Sequence, residues 1–171
     1  MKNKFLPIGV TSIISIALDQ FTKYLATKHL LTHEPISWWN DFFVLTYSIN
    51  HGAFLGLGTN LPEGIRNLIF SGLVGIFLIG FSIYAVRDKT MNNLQNLACG
   101  LVLSGGFSNL YDRITNNGGV VDFMNMGIGG LRTGIFNVAD MAIMAGVFLL
   151  LIYSFKNDDT QKETIKNNKQ A

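Results

Sequence analysis

Charge is what this sequence has least of. Of its 171 residues only 14% are Asp, Glu, Lys or Arg, against about a quarter in a soluble domain. A chain of one-domain size with so little charge cannot cover itself for water. It also lacks an excess of either sign: 13 Lys and Arg against 11 Asp and Glu leave +2, which argues against a basic nucleic-acid binder. Cysteine occurs once, as Cys99, which excludes an intrachain disulfide framework and a Cys-rich metal site. The three histidines, His29, His33 and His51, lack HExxH or other zinc-ligand spacing, so no metal is expected. There is no internal repeat and no low-complexity tract.

What is present is apolar, and it comes in blocks. Residues 5–18, 68–86, 90–111 and 141–155 are free of charge. A helix needs about 20 mostly apolar residues to cross the hydrocarbon core. The second and third blocks suffice alone; the first and fourth do so once Asp19, Lys23 and Asp140 are counted within or at the ends of their helices. The expected fold is therefore an all-α integral membrane protein, a single domain over 1–156 with four spans at about 5–26, 65–86, 93–112 and 137–156. Lys2 and Lys4 before the first block suggest a signal peptide, but Ala17-Leu18-Asp19 is no cleavage site, so the first span is expected to stay. Eight Lys or Arg fall on the side of the two termini and five on the other. That puts both termini in the cytoplasm. Residues 157–171 read as a polar, disordered cytoplasmic tail.

The outer segments are then 27–64 and 113–136. Trp38 and Trp39 suit the membrane–water boundary. Phe43, Leu45, Tyr47 and Ile49 alternate with Val44, Thr46, Ser48 and Asn50, which predicts a strand; Gly52, Gly56 and Gly58 end it. Asn117-Gly118-Gly119 predicts a turn, Val120–Phe123 a short strand, and Gly127, Gly129 and Gly130 a flexible stretch. A small β-sheet on the outer membrane surface is expected.

The informative residues are polar groups at the outer ends of the spans, because an ionisable group there is costly and needs a partner or a purpose. Asp19 and Lys23 are four apart on the first span. Asn109, Asp112 and Arg113 close the third. Asn137 and Asp140 open the fourth, three apart on one helical face. Asp122 lies in the loop between the last two spans, and folding that loop back brings Asp122 to Asp140. Two facing carboxylates cannot both ionise, so such a pair holds one proton, the equipment of aspartic proteolysis. The plainer reading makes Asp122 a loop acid and Asp140 a helix cap. Asp19 with Lys23 reads as a neutralised structural pair, and Asp112 with Arg113 as a structural ion pair or loop anchor rather than a catalytic pair. A membrane protein relaying protons is the competing class, but a relay strings its acids across the membrane, and here they gather at one face.

Five motifs in order then become recognisable: Asp19-Gln20-Phe21-Thr22-Lys23, Asn50-His51-Gly52-Ala53-Phe54, Ser108-Asn109-Leu110-Tyr111-Asp112-Arg113, Val120-Val121-Asp122-Phe123 and Phe136-Asn137-Val138-Ala139-Asp140. Over residues 15–146 the chain resembles the lipoprotein signal peptidases, the bacterial type II signal peptidases. The resemblance implies an aspartic endopeptidase of the bacterial cytoplasmic (inner) membrane, active near its outer face. It would cut diacylglyceryl-modified prolipoproteins just before the lipidated cysteine. It implies Asp122 and Asp140 as catalytic; Asn50, Asn109, Arg113 and Asn137 as substrate-binding or supporting; and Asp19, Lys23 and Asp112 as structural. It implies no cofactor, inhibition by globomycin-type peptides, membrane lipid as the surroundings and a monomer. The sequence departs from the family at Gly105-Gly106-Phe107-Ser108-Asn109, where Ser108 replaces a glycine. It carries one extra residue near Asn116-Asn117, and Thr133-Gly134-Ile135 replaces an aromatic-proline pair. A diverged relative with a different substrate set is the third reading.

Overall fold

The computed structural model describes residues 5–52, 58 and 60–168. The expected Gly56 break, and residues 169–171 of the tail, lie outside them. The chain runs α1 (Phe5–Leu30), β1 (Ile36–Trp38), β2 (Phe43–Asn50), α2 (Glu63–Asn67), a π-helical turn (Leu68–Leu73), α3 (Val74–Arg87), α4 (Asn93–Thr115), β3 (Val120–Ile128), β4 (Leu131–Arg132) and α5 (Val138–Asn168). α2, the π turn and α3 form one uninterrupted helix, Glu63–Arg87. Each expected span lies within a helix, except that Asn137 caps α5 rather than starting it.

Sequence explains the helix limits. Asn92 and Gln95 form a reciprocal capping box at the start of α4, each side chain accepting from the other's backbone N–H at 2.9 Å. At its end Asn117 (φ 51°) and Gly118 (φ 83°) turn left-handed, and the Gly118 N–H donates to the Arg113 carbonyl at 2.8 Å. That closes the helix. α5 does not stop at the polar tail. It runs to Asn168, so 157–168 is helical where disorder was expected. No glycine or proline interrupts those residues, and a long apolar helix ahead of them supplies the nucleus.

Two helices, Glu63–Arg87 and Val138–Phe155, are long and apolar enough to cross a membrane, with mean hydropathy 2.2 and 2.1 in their most apolar windows. Much of their apolar surface faces outward: Ile76, Phe77, Met144 and Phe148 are all exposed. α1 and α4 are less apolar because they carry the buried polar groups, among them Asp19, Lys23, Asn96, Ser104, Asn109 and Asp112.

α4 is the central helix, packing against α1, α3 and α5. Lipid tails are as apolar as leucine, so close backbone packing rather than water exclusion must hold such helices together. Gly105 supplies it: a Cβ there would collide with the Ala139 carbonyl of α5. At Gly146 a Cβ would come within 2.6 Å of the Ala98 carbonyl. Leu78, Ala85, Cys99 and Leu103 form a buried cluster between α3 and α4.

The sheet is antiparallel, in the order β1-β2-β3-β4. β2 falls where the alternation predicts it. β3 is longer than expected, and the Gly127–Gly130 stretch is not loose. Gly127 pairs with Arg132 and Ile128 with Leu131, so Gly129-Gly130 is a hairpin turn. β1, which bears Trp38, and β4 are too short to show a period in the sequence. The sheet rests on the C-terminal end of α1 through Phe123, Ala26 and Leu30.

Candidate active site

Asp122 sits on β3, opposite Ser48 of β2. Asn50, two residues further on, shares its face, and the Asn50 Nδ2 donates to Asp122 Oδ2 at 3.0 Å. The Gly52 N–H donates to Asn50 Oδ1 at 2.9 Å, fixing that amide. β3 is stitched to the residue that leads into α5. The Phe123 and Met124 N–H groups donate to the Phe136 carbonyl at 3.1 and 2.9 Å, and the Phe136 N–H to the Met124 carbonyl at 2.8 Å. This clamp brings the loop back on itself.

Asn137 and Asp140 then form a capping box of their own. The Asp140 N–H donates to Asn137 Oδ1 at 2.9 Å, and the Asn137 N–H to Asp140 Oδ2 at 3.1 Å. The Asn137 Nδ2 is thereby aimed at Asp122 Oδ1 (2.7 Å) and Asn109 Oδ1 (3.1 Å). From α4 the Asn109 Nδ2 donates to Asp140 Oδ1 at 2.9 Å. Each of the four carboxylate oxygens of Asp122 and Asp140 thus accepts one N–H. All these donors are neutral amides.

Asp122 lies in the sheet and is 1% exposed. Burial first, and the neighbouring Asp140 second, push its carboxyl up to about 7. The amides of Asn50 and Asn137, and the charge of Lys23, pull the other way without winning.

Both aspartates open into a cavity of 390 Å³ with Asn50, Asn109 and Arg113 at its polar end; Val120, Met126, Ile135, Phe136, Met141 and Met144 complete most of the wall. Such a space suits an apolar, extended segment with its polar backbone turned toward the acids. Arg113 stands at the rim. Its Nη2 donates to the Gly52 carbonyl at 2.9 Å, and its guanidinium lies 5.8 Å from the ring centre of Phe70 in the π turn.

Behind the cavity lies a second buried polar group. Lys23 Nζ contacts Asp19 Oδ2 at 2.7 Å and Asp112 Oδ2 at 3.0 Å, and donates to Asn109 Oδ1 at 2.9 Å. Asp19 also accepts from the Ala139 N–H (2.7 Å) at the start of α5 and from Ser108 Oγ (2.7 Å). The Asp19–Lys23 pair is as expected. Asp112 and Arg113 do not pair with each other, but each anchors a neighbouring segment: Asp112 bonds Lys23, Gln20 Nε2 (2.8 Å) and the Val121 N–H (3.1 Å), while Arg113 donates to the Gly52 carbonyl. Adjacent residues of a helix do not face each other, so that pairing was barred once α4 ran through both. Sequence reasoning also passed over Gln20 and Ser108. Ser108 is more than a small residue at a helix crossing, since its hydroxyl anchors Asp19; its place beside Asn109 was the available signal.

Residues 11–156 match the family model for signal peptidase (SPase) II. The chain is similar to the lipoprotein signal peptidase of Borrelia hermsii, 32% identical over 166 residues that span 93% of this chain and 96% of that one. It is also similar to that of Syntrophus aciditrophicus, 34% identical over 154 residues, 89% and 94% of the two chains. Two solved structures of bacterial membrane enzymes superpose on it. The TM-scores are 0.79 and 0.76 at 28% and 27% identity; they cover 91% and 87% of this chain and 92% of each of those.

Proposed function

The chain belongs to the signal peptidase II family, and from that membership we propose how it works. It is a membrane peptidase that removes signal peptides from prolipoproteins. Its chemistry is that of an aspartic endopeptidase with Asp122 and Asp140 as the dyad. The single observation that carries this reading is Asn137, whose side-chain amide donates to Asp122 Oδ1 and whose backbone N–H donates to Asp140 Oδ2, so that both carboxylates meet at one cavity.

With no cation bonded to either acid, the pair keeps one proton and titrates as a unit. The ionised member takes a proton from water as the water oxygen bonds to the scissile carbonyl carbon, and the protonated member gives its proton to the carbonyl oxygen. A tetrahedral diol results. On collapse the C–N bond breaks, the amine leaves with a proton from one carboxyl, and a diol hydroxyl returns a proton to the other. Asn50 and Arg113 line the substrate side and hold freed backbone groups, which are costly unpaired in lipid.

The substrate class is a diacylglyceryl-modified prolipoprotein cut just before the lipidated cysteine. Four spans, at 5–26, 65–86, 93–112 and 137–156, put both termini in the cytoplasm and the dyad near the outer face of the bacterial cytoplasmic membrane. The polar residues of α1 and α4 face inward, which reconciles their lower hydropathy with spanning. Residues 1–156 act as one domain and as a monomer, blocked by globomycin-type peptides. The joining of Asp19, Asp112, Asp122 and Asp140 through Lys23, Asn109 and Asn137 favours a site over a path across the bilayer.

The deciding assay uses purified enzyme in detergent with a diacylglyceryl-modified prolipoprotein. Asp122→Asn and Asp140→Asn each keep the fold and lose turnover; ordinary turnover in either defeats the dyad. For topology, a cysteine at Asn117 should react with an impermeant reagent applied outside the cell. Reaction only from the cytoplasm inverts the arrangement.

A further inference from the structure

We propose that Lys23 is a positioning residue for the dyad: its ammonium holds the Asn109 amide oxygen inward, so that the Asn109 NH2 group must donate to Asp140. The inference rests on the reading of Asp122 and Asp140 as the acid pair.

An ammonium has three hydrogens and nothing with which to accept. Those of Lys23 are matched by three oxygens: Asp19 Oδ2, Asp112 Oδ2 and Asn109 Oδ1. Lys23 is 3% exposed, so water cannot substitute for any of them at low cost. An amide can present either its oxygen or its nitrogen to a neighbour. Turned over, Asn109 would aim N–H bonds at the ammonium and at the Asn137 Nδ2, donor against donor on two sides. The cation therefore selects one of two orientations, and the Asn109 Nδ2 falls 2.9 Å from Asp140 Oδ1.

That orientation matters to the acids. A flipped Asn109 would present its oxygen to Asp140 Oδ1, and the two oxygens could coexist only with a proton between them. The proton shared by the dyad would be trapped on Asp140, facing away from substrate. With Asn109 held, both oxygens of Asp140 accept, Oδ1 from Asn109 and Oδ2 from the Asn137 N–H, and the proton stays free to serve Asp122. The other charged groups around the pair are Asp19 on α1 and Asp112 and Arg113 on α4. None of these side chains bonds the Asn109 amide; Arg113 Nη1 reaches the Asn109 backbone carbonyl, at 3.5 Å.

The test replaces Lys23→Met together with Asp112→Asn, which removes one charge of each sign and leaves the net charge of the buried cluster unchanged. The readout is kcat and KM across pH for enzyme that elutes as a monodisperse peak in detergent. We expect kcat to fall about 10- to 100-fold, the loss of a hydrogen bond to a charged group, with KM little changed. The alkaline limb moves to higher pH, because Lys23 holds the Asp122 carboxyl down. Lys23→Arg, which keeps a charged donor, restores most of the loss. A purely structural lysine would lower yield and leave kcat and its pH profile alone; that result overturns the proposal. Where the pair of substitutions yields no folded enzyme, Asn109→Asp decides. It keeps an oxygen toward Lys23 but removes the donor to Asp140, so kcat at pH 7 should fall at least as far, and wild-type kcat would overturn the inference. If Asp122→Asn and Asp140→Asn are inactive while these variants behave as wild type, this inference alone fails. If either aspartate variant is active, the dyad itself fails.

Discussion

Among the described residues two pairs of aspartates stand close together, all buried but the half-buried Asp140, and they differ in what stands between them. Asp19 and Asp112 share an ammonium, Lys23, with contacts of 2.7 and 3.0 Å. Asp122 and Asp140 share only amides, from Asn50, Asn109 and Asn137. A cation between two carboxylates offsets their charge and makes the group a strut, here joining α1, α4 and the first turn of α5. Amides satisfy the oxygens but bring no charge, which suits the second pair to the shared proton of the proposed dyad. On that proposal the same side chain becomes structure or chemistry according to whether its donors are charged.

Removing either carboxylate of the second pair should break the comparison most sharply. Asp140→Asn or Asp122→Asn should cut kcat by about 10²–10⁴-fold, the share of general acid–base catalysis, with the melting curve near that of wild type. Lys23→Met alone should add a large loss of stability to the fall in kcat expected of it. It strands two buried carboxylates at a cost of about 3–5 kcal/mol, readable as a lowered midpoint of thermal or denaturant unfolding in detergent. Asn137→Ala should touch both. It removes the α5 cap, worth about 1 kcal/mol, and leaves Asp122 Oδ1 without a donor, so stability and kcat should fall together.

The smallest effect sharpens the contrast through pH. The folded Asp122 carboxyl titrates at about 7, well above its ordinary 3.8. The fold therefore binds the proton more tightly than the unfolded chain. The stability this contributes is complete below about pH 4 and is lost as pH rises through 7. Wild type should melt lower at pH 8 than at pH 5, and Asp122→Asn should flatten that dependence. Turnover should decline over the same alkaline range as the shared proton leaves. An unchanged slope in Asp122→Asn would assign the dependence to another group.

Much of the site could be read from residue order because its logic is local. Asn137 and Asp140 are three apart, and Asp122 needs only a short loop to reach them. β2 announced itself by period, and each helix by its apolar run. What escaped was set over long separations. Lys23 finds Asp112 across 89 positions, whereas proximity in the chain suggested Arg113. Ser108 reaches Asp19 across 89 positions, through the packing of α4 on α1. The helicity of 157–168 escaped because composition reports what can fold alone, and that segment instead extends a helix begun elsewhere. β1 and β4, three and two residues long, have no pattern to read until their partners are present.

The four oxygens of Asp122 and Asp140 have their N–H partners within the fold itself, drawn from β2, α4 and the head of α5. Their orientation is cast as the chain folds. A compound bearing a hydroxyl at the tetrahedral centre should therefore gain by matching that fixed arrangement of oxygens, and gain more the more rigid it is.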